Sequence, residues 1–137
     1  MKKEHSYGII PMRKEKGKWK TLLVKHGKGH WGFPKGHAEK NEEPKETAAR
    51  EFIEETGLSI LHFLNFPPLE ETYIFTWEGV VIHKTVIYFL AEVKGKLSID
   101  PKEISEAGWF ALEDVENKAS FPETRHLCRE VVKLFTV

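Results

Sequence analysis

Three glutamates, Glu51, Glu54 and Glu55, fall within five residues, inside a stretch from Gly36 to Leu58 that holds seven. Carboxylates three and four apart on a helix repel by roughly 0.2–0.5 kcal/mol per pair. Acids near a helix C-terminus also oppose the macrodipole. The surrounding residues, "EPKETAAREFIEETG", carry helix signals, with Pro44 suited to the first turn and Gly57 to the left-handed residue just past the end. On that helix the three acids share one face. The apolar stripe of Ala48, Ala49, Phe52 and Ile53 lies largely on the other side, so the carboxylates are expected to face solvent or a cleft. A merely solvated acidic face is the plain alternative. The crowding and the scarcity of lysines favour instead a site for a hard divalent cation, Mg²⁺ or Mn²⁺. Such ions take oxygen ligands and bridge carboxylates to substrate phosphates.

The elements that must position these acids can be read on either side. "YGIIPM" and "WKTLLVKH" read as strands joined by a polar turn with Gly17. "GKGHWGFPKGH" is glycine-rich and contains Pro34, so it reads as loop with a short strand. "EETYIFTW" and "VVIHKTVIYFLAEV" read as two strands with Gly79 in the turn between them. The second is apolar on both alternating sets, as in a central strand covered on both faces. "AGWFAL" is a further strand and "EDVENK" a short helix. "ETRHLCREVVKLF" is a closing helix with Leu127, Val131 and Leu134 on one stripe. Few helices among many strands suggest an α/β fold, a mixed sheet sandwiched between helices.

The 137 residues suit one domain over residues 1–137. No run approaches the ~18 apolar residues of a membrane span. "MKKEHSYGII" lacks the apolar region of a secretory leader. Cys128 is the only cysteine, which excludes an intrachain disulfide and a Cys-based zinc cluster. A cytoplasmic location is expected on these grounds. The net charge is zero but uneven: +8 over residues 1–37, −4 over 38–58 and −4 over the remainder. A neutral whole argues against a general nucleic-acid coat. A basic segment beside an acidic one suits a multiply charged anion held by both lysines and metal ions.

The stretch fits the pattern G-x5-E-x7-R-E-U-x-E-E-x-G-U, with U bulky and apolar, through Gly36, Glu42, Arg50, Glu51, Phe52, Glu54, Glu55, Gly57 and Leu58. This resembles the signature of the Nudix hydrolases, which cleave nucleoside diphosphates linked to another moiety. The resemblance implies the Nudix fold over the whole chain. It implies that Glu51, Glu54, Glu55 and the Gly36 carbonyl bind divalent metals. Glu42 and Arg50 would form an ion pair bracing loop against helix. Arg's planar fork suits such a contact.

Two flanking stretches resemble the asymmetrical diadenosine tetraphosphate hydrolases, which yield ATP and AMP. His30, Trp31, Pro34, Lys35, Gly36 and His37 match an HW-x-x-PKGH opening, and Lys84, Thr85, Val86, Ile87 and Tyr88 match a KTVIY strand. Lys35, His37 and Lys84 would then donate to the tetraphosphate. Tyr73, Trp77, Tyr88 and Phe121 are the candidates for stacking on adenine, and Tyr73 and Trp77 compete for one such role. Glu54 and Glu103 are candidates for the group that takes or orients the water proton, with Glu106 a weaker contender. A dinucleoside polyphosphate is the expected partner, without a membrane or a stable nucleic acid, and the chain is expected to be a monomer. The rival readings are removal of pyrophosphate from 5′-triphosphorylated RNA, a non-catalytic nucleotide sensor, and a general polyphosphate or inositol-pyrophosphate hydrolase.

Overall fold

The computed structural model describes residues 1–27 and 29–136, so Lys28, in the glycine-rich loop, and Val137 lie outside the described residues. Two long strands form the middle of a mixed sheet. Strand β1 (Lys2–Glu15) runs parallel to β7 (Val80–Lys94), in register from Lys2 opposite Ile82 to Met12 opposite Glu92. On one side β1 pairs antiparallel with β2 (Lys18–His26), which carries β3 (His30–Gly32) and β8 (Ile104–Ala111). Beyond β7, the antiparallel strands β5 (Ser59–Phe63) and β6 (Leu69–Trp77) pair with its two halves. The two-residue strand β4 (Lys35–Gly36) pairs with Tyr7 and Gly8 of β1.

The central strands are apolar on both faces because each face is covered. Ile10, Met12, Val86, Tyr88 and Leu90 pack with Leu127, Cys128 and Val131 of helix α3 (Pro122–Phe135) and Val115 of the short helix α2 (Val115–Lys118). On the other face, Ile9, Leu22, Ala91 and Val93 pack with Ala48 and Phe52 of helix α1 (Pro44–Thr56). The result is the α/β architecture expected from the sequence, with helices on both faces of a mixed sheet. Among the described residues no helix is long and apolar enough to cross a membrane.

Helix α1 starts at Pro44, and the Glu43 N–H donates to the Glu46 carboxylate at 3.2 Å. It ends on Gly57, which takes φ 71° and donates to the Ile53 carbonyl at 2.9 Å. The helix is rotated relative to the sequence expectation. Ile53 is 49% exposed, whereas Glu55 is only 4% exposed. The inward stripe is Thr47, Ala48, Phe52, Glu55 and Thr56, so Glu55 does not share the outward face of Glu54. Strand β5 is an element that the sequence reading omitted. Its pairing with β7 shifts register between Ile60 and His62 and Leu61 is 48% exposed, so it lacks the alternation that marks a half-buried strand.

Candidate active site

The site is assembled by three segments. Strand β4 brings Lys35 and Gly36 beside β1, helped by the Ile9 N–H donating to the Pro34 carbonyl at 3.1 Å. Helix α1 then presents its acids to Gly36. A Cβ on Gly36 would overlap the Glu51 carboxyl group, so only glycine allows this approach. The loop before β8 is tied to the end of α1, with Ser98 N–H donating to the Thr56 carbonyl at 2.8 Å and Asp100 N–H to the Glu55 carbonyl at 3.1 Å. That tie places Asp100 and Glu103 opposite the helix acids.

Arg50 braces the loop. Its Nε donates to Glu42 Oε2 at 2.7 Å and its Nη2 to Glu42 Oε1 and the His37 carbonyl, both at 3.0 Å. Glu42 also accepts from the Glu39 N–H at 3.0 Å and the Thr47 hydroxyl at 2.7 Å. Arg50, with the Glu39 amide and the Thr47 hydroxyl, holds the Glu42 carboxyl down to about 2. Arg50 Nη1 reaches further, donating to Glu51 at 3.0 Å and to Glu54 at 3.3 Å.

These segments enclose an acidic cleft of about 360 Å³, lined by Glu51, Glu54, Glu55, Asp100 and Glu103, with Gly36, His37 and Ser6. Burial, then the Glu51 charge, pushes the Glu55 carboxyl up to about 9. Glu55 Oε1 is buried without a hydrogen-bond partner. Among the described residues no three acids, histidines or cysteines stand ready to hold a metal, and Arg50 engages Glu51 and Glu54. The donors are nonetheless all hard oxygens, and one of them is an orphaned buried carboxyl. That set fits a divalent cation able to displace the Arg50 contacts and the Glu55 proton.

A second cleft of about 580 Å³ lies on the α3 side. Alternate residues of β6, Glu71, Tyr73, Phe75 and Trp77, line it from within outward, and Lys84 stands opposite Tyr73 across the hairpin. His30 and Phe121 line it too, with ring centroids 5.0 Å apart, and Phe121 meets Tyr73 edge-on at 5.9 Å. Lys35 and His26 line both clefts and so mark their junction. Burial and the Lys84 charge bring Lys35 down to about 8. His26 stacks on His30 at 4.9 Å, and its Nε2 donates to the Phe33 carbonyl at 3.2 Å. Burial, with the Lys35 charge, brings it down to about 4, so it is neutral near pH 7.

Tyr73 and Trp77, rivals for one stacking role in the sequence, both line the aromatic cleft, as do Phe121, Lys35 and Lys84. His37 lines the acidic cleft instead. Tyr88 lines the aromatic cleft from its inner wall: its side chain is buried, its ring meets Phe33 at 5.7 Å and its hydroxyl donates to Glu71 at 2.8 Å. Glu103 lines the acidic cleft, whereas Glu106 pairs with Lys25 at 3.2 Å and does not. The sequence reading missed Glu71, Thr124, His26 and Asp100. Strand alternation from Tyr73 would have placed Glu71 on the cleft face. Nothing local marks Thr124, which reaches the cleft through the docking of α3.

The NUDIX domain model matches residues 2–131. The bis(5′-nucleosyl)-tetraphosphatase (asymmetrical) of Mus musculus is 36% identical over 113 residues, 80% of this chain and 74% of that protein. A Mycobacterium tuberculosis protein named MutT4 is 33% identical over 106 residues, and the match covers 75% of this chain but only 41% of that longer relative. Among solved structures, a C. elegans Ap4A hydrolase binary complex superposes with a TM-score of 0.78 at 26% identity, covering 96% of this chain and 97% of that one.

Proposed function

The chain belongs to the NUDIX family, and from that premise we propose that it hydrolyses diadenosine tetraphosphate asymmetrically, giving ATP and AMP. The observation that carries this reading is the meeting of the acidic and aromatic clefts at Lys35 and His26. A polyphosphate can cross that junction while its nucleoside lies among aromatic rings and its scissile end lies among carboxylates. The likeness to the mouse tetraphosphatase and to the C. elegans Ap4A hydrolase supports the same substrate class.

Glu51, Glu54, Glu55 and the Gly36 carbonyl would hold Mg²⁺ or Mn²⁺. When bound, such a cation supplies Lewis acidity toward phosphate oxygens and lowers the pKa of water beside it. The remaining steps belong to the chain. Glu54, with 56% of its side chain exposed, is the helix acid most open to water, and Glu103 faces it from the opposite loop. Either can take or orient a proton there. Lys35 and Lys84 offset the charge of the tetraphosphate, and binding that anion favours the protonated form of Lys35. Tyr73, Trp77 and Phe121 supply stacking faces, each worth roughly 1–3 kcal/mol for a stacked base. Glu42 and Arg50 hold the loop that carries Gly36 and His37.

A substrate panel tests this reading: dinucleoside polyphosphates, nucleoside triphosphates and 5′-triphosphorylated RNA, with Mg²⁺ or Mn²⁺ and product analysis. The highest kcat/KM is expected on diadenosine tetraphosphate. A higher value on the RNA would contradict it, and tight nucleotide binding without turnover would point to a sensor.

A further inference from the structure

The hydrolysis reading uses the acids, the lysines and the outer aromatic rings of the two clefts, but it leaves Glu71 without a task. Glu71 lies in the wall of the aromatic cleft and is only 5% exposed. Its Oε1 accepts from the Tyr88 hydroxyl at 2.8 Å. Its Oε2 is buried and has no hydrogen-bond partner. The hydroxyls of Tyr73 and Thr124, bonded to each other at 3.0 Å, lie close enough to favour the carboxylate without forming a hydrogen bond to Oε2. A buried acceptor left open is destabilising, and an apolar residue would fill the same wall without that cost. A retained carboxyl with one idle oxygen in a ligand cleft implies that a donor arrives with the ligand.

We propose that the open Glu71 oxygen accepts a hydrogen bond from a ribose hydroxyl of the bound nucleotide, making the cleft selective for ribonucleotides. The proposal rests on the nucleotide reading above and adds a specificity residue to it. Position along the cleft decides between sugar and base. Lys35, at the phosphate junction, lies close enough to Glu71 that each charge acts on the other. Moving away from Glu71 on the same face of β6 come Tyr73, Phe75 and Trp77, the last two 41% and 57% exposed. In a nucleotide the sugar adjoins the phosphates and the base lies beyond. The order of lysine, carboxylate and aromatic rings matches the order of phosphate, sugar and base. A single open oxygen also suits a single hydroxyl.

The test is calorimetric titration of the chain with AMP, 2′-deoxy-AMP and 3′-deoxy-AMP. AMP is expected to bind about tenfold more tightly than at least one deoxy form. In the double variant Glu71→Leu/Tyr88→Phe, which removes both members of the buried pair and leaves no orphaned hydroxyl, the preference should fall to within about twofold. The thermal midpoint of that variant should stay close to that of the parent chain. Tyr88→Phe alone keeps the carboxyl and should keep the preference. Equal affinities in the parent chain, or an undiminished preference in the double variant, would overturn the assignment. Product analysis separates the two readings. Hydrolysis to ATP and AMP without ribose preference contradicts the Glu71 assignment alone, and ribose preference without that hydrolysis supports Glu71 and contradicts the reaction.

Discussion

At the residue scale, Glu55 makes the sharpest electrostatic demand. Its carboxyl is pushed up to about 9 by burial and by Glu51. The metal-free native state therefore keeps a proton that the unfolded chain gives up above pH ~4.5. Stability from this group is complete below about pH 4.5 and is lost as pH rises toward 9. Denaturant midpoints in a chelator should fall between pH 5 and pH 8.5, and Glu55→Gln should flatten that slope. Glu42 has the opposite sign. Held near 2 by Arg50, it stabilises above its unfolded value and loses that contribution as pH falls toward 2. Glu54 is a different case, more open to water and facing the cleft. Glu54→Gln should lower turnover at least ~10²-fold while leaving the thermal midpoint unchanged, measured with saturating Mg²⁺. Near-normal turnover would remove Glu54 from the chemistry. The spacing of the acids was legible in the sequence, and so was the separation of Glu51 and Glu54 from Ala48 and Phe52. The burial of Glu55 was not, because Ile53 looked the better core residue. Only the observed rotation of α1 puts Glu55 at the edge of the core, seven residues on from Ala48.

At the element scale, the site depends on how loop and helix are clamped. Arg50 reaches Glu42, the His37 carbonyl, Glu51 and Glu54 at once. Lysine keeps the charge but loses the fork. Arg50→Lys should therefore loosen residues 37–43, raising amide exchange there, and cut kcat by about tenfold through misplacement of the acids. Unchanged exchange in that loop would show that the clamp is dispensable. Gly36→Ala tests the closest approach in the site, since its Cβ would overlap the Glu51 carboxyl group. Loss of activity with only modest loss of stability is expected, and full activity would mean that Glu51 stands elsewhere during turnover. Element boundaries were readable where glycine and proline punctuate the chain: Pro44 and Gly57 around α1, Gly79 between β6 and β7. Strand β5 was not, because an irregular, half-exposed edge leaves no period to detect. The role of Glu71 was readable in principle by counting two residues back from Tyr73, but Glu70 and Glu71 side by side look like ordinary surface charge.

At the scale of the whole molecule, the uneven charge acquires a location. The basic N-terminal segment contributes Lys35 and the acidic stretch contributes Glu51, Glu54 and Glu55, and both line one cleft. The sheet joins that cleft to the aromatic one, so Lys35 lies between carboxylates and rings. That adjacency is a product of topology: β4 pairs with β1, β1 with β7, and β7 with β6. Motif spacing could expose the reaction class, but the junction at Lys35 and His26 required the fold. On the proposed function, this junction directs cleavage to one end of a dinucleoside tetraphosphate. The most direct measurement is hydrolysis of diadenosine tetraphosphate in ¹⁸O-labelled water with Mg²⁺, followed by mass analysis of the products. Equal amounts of ATP and AMP are expected, with the label in AMP and none in ATP. Two molecules of ADP would contradict it.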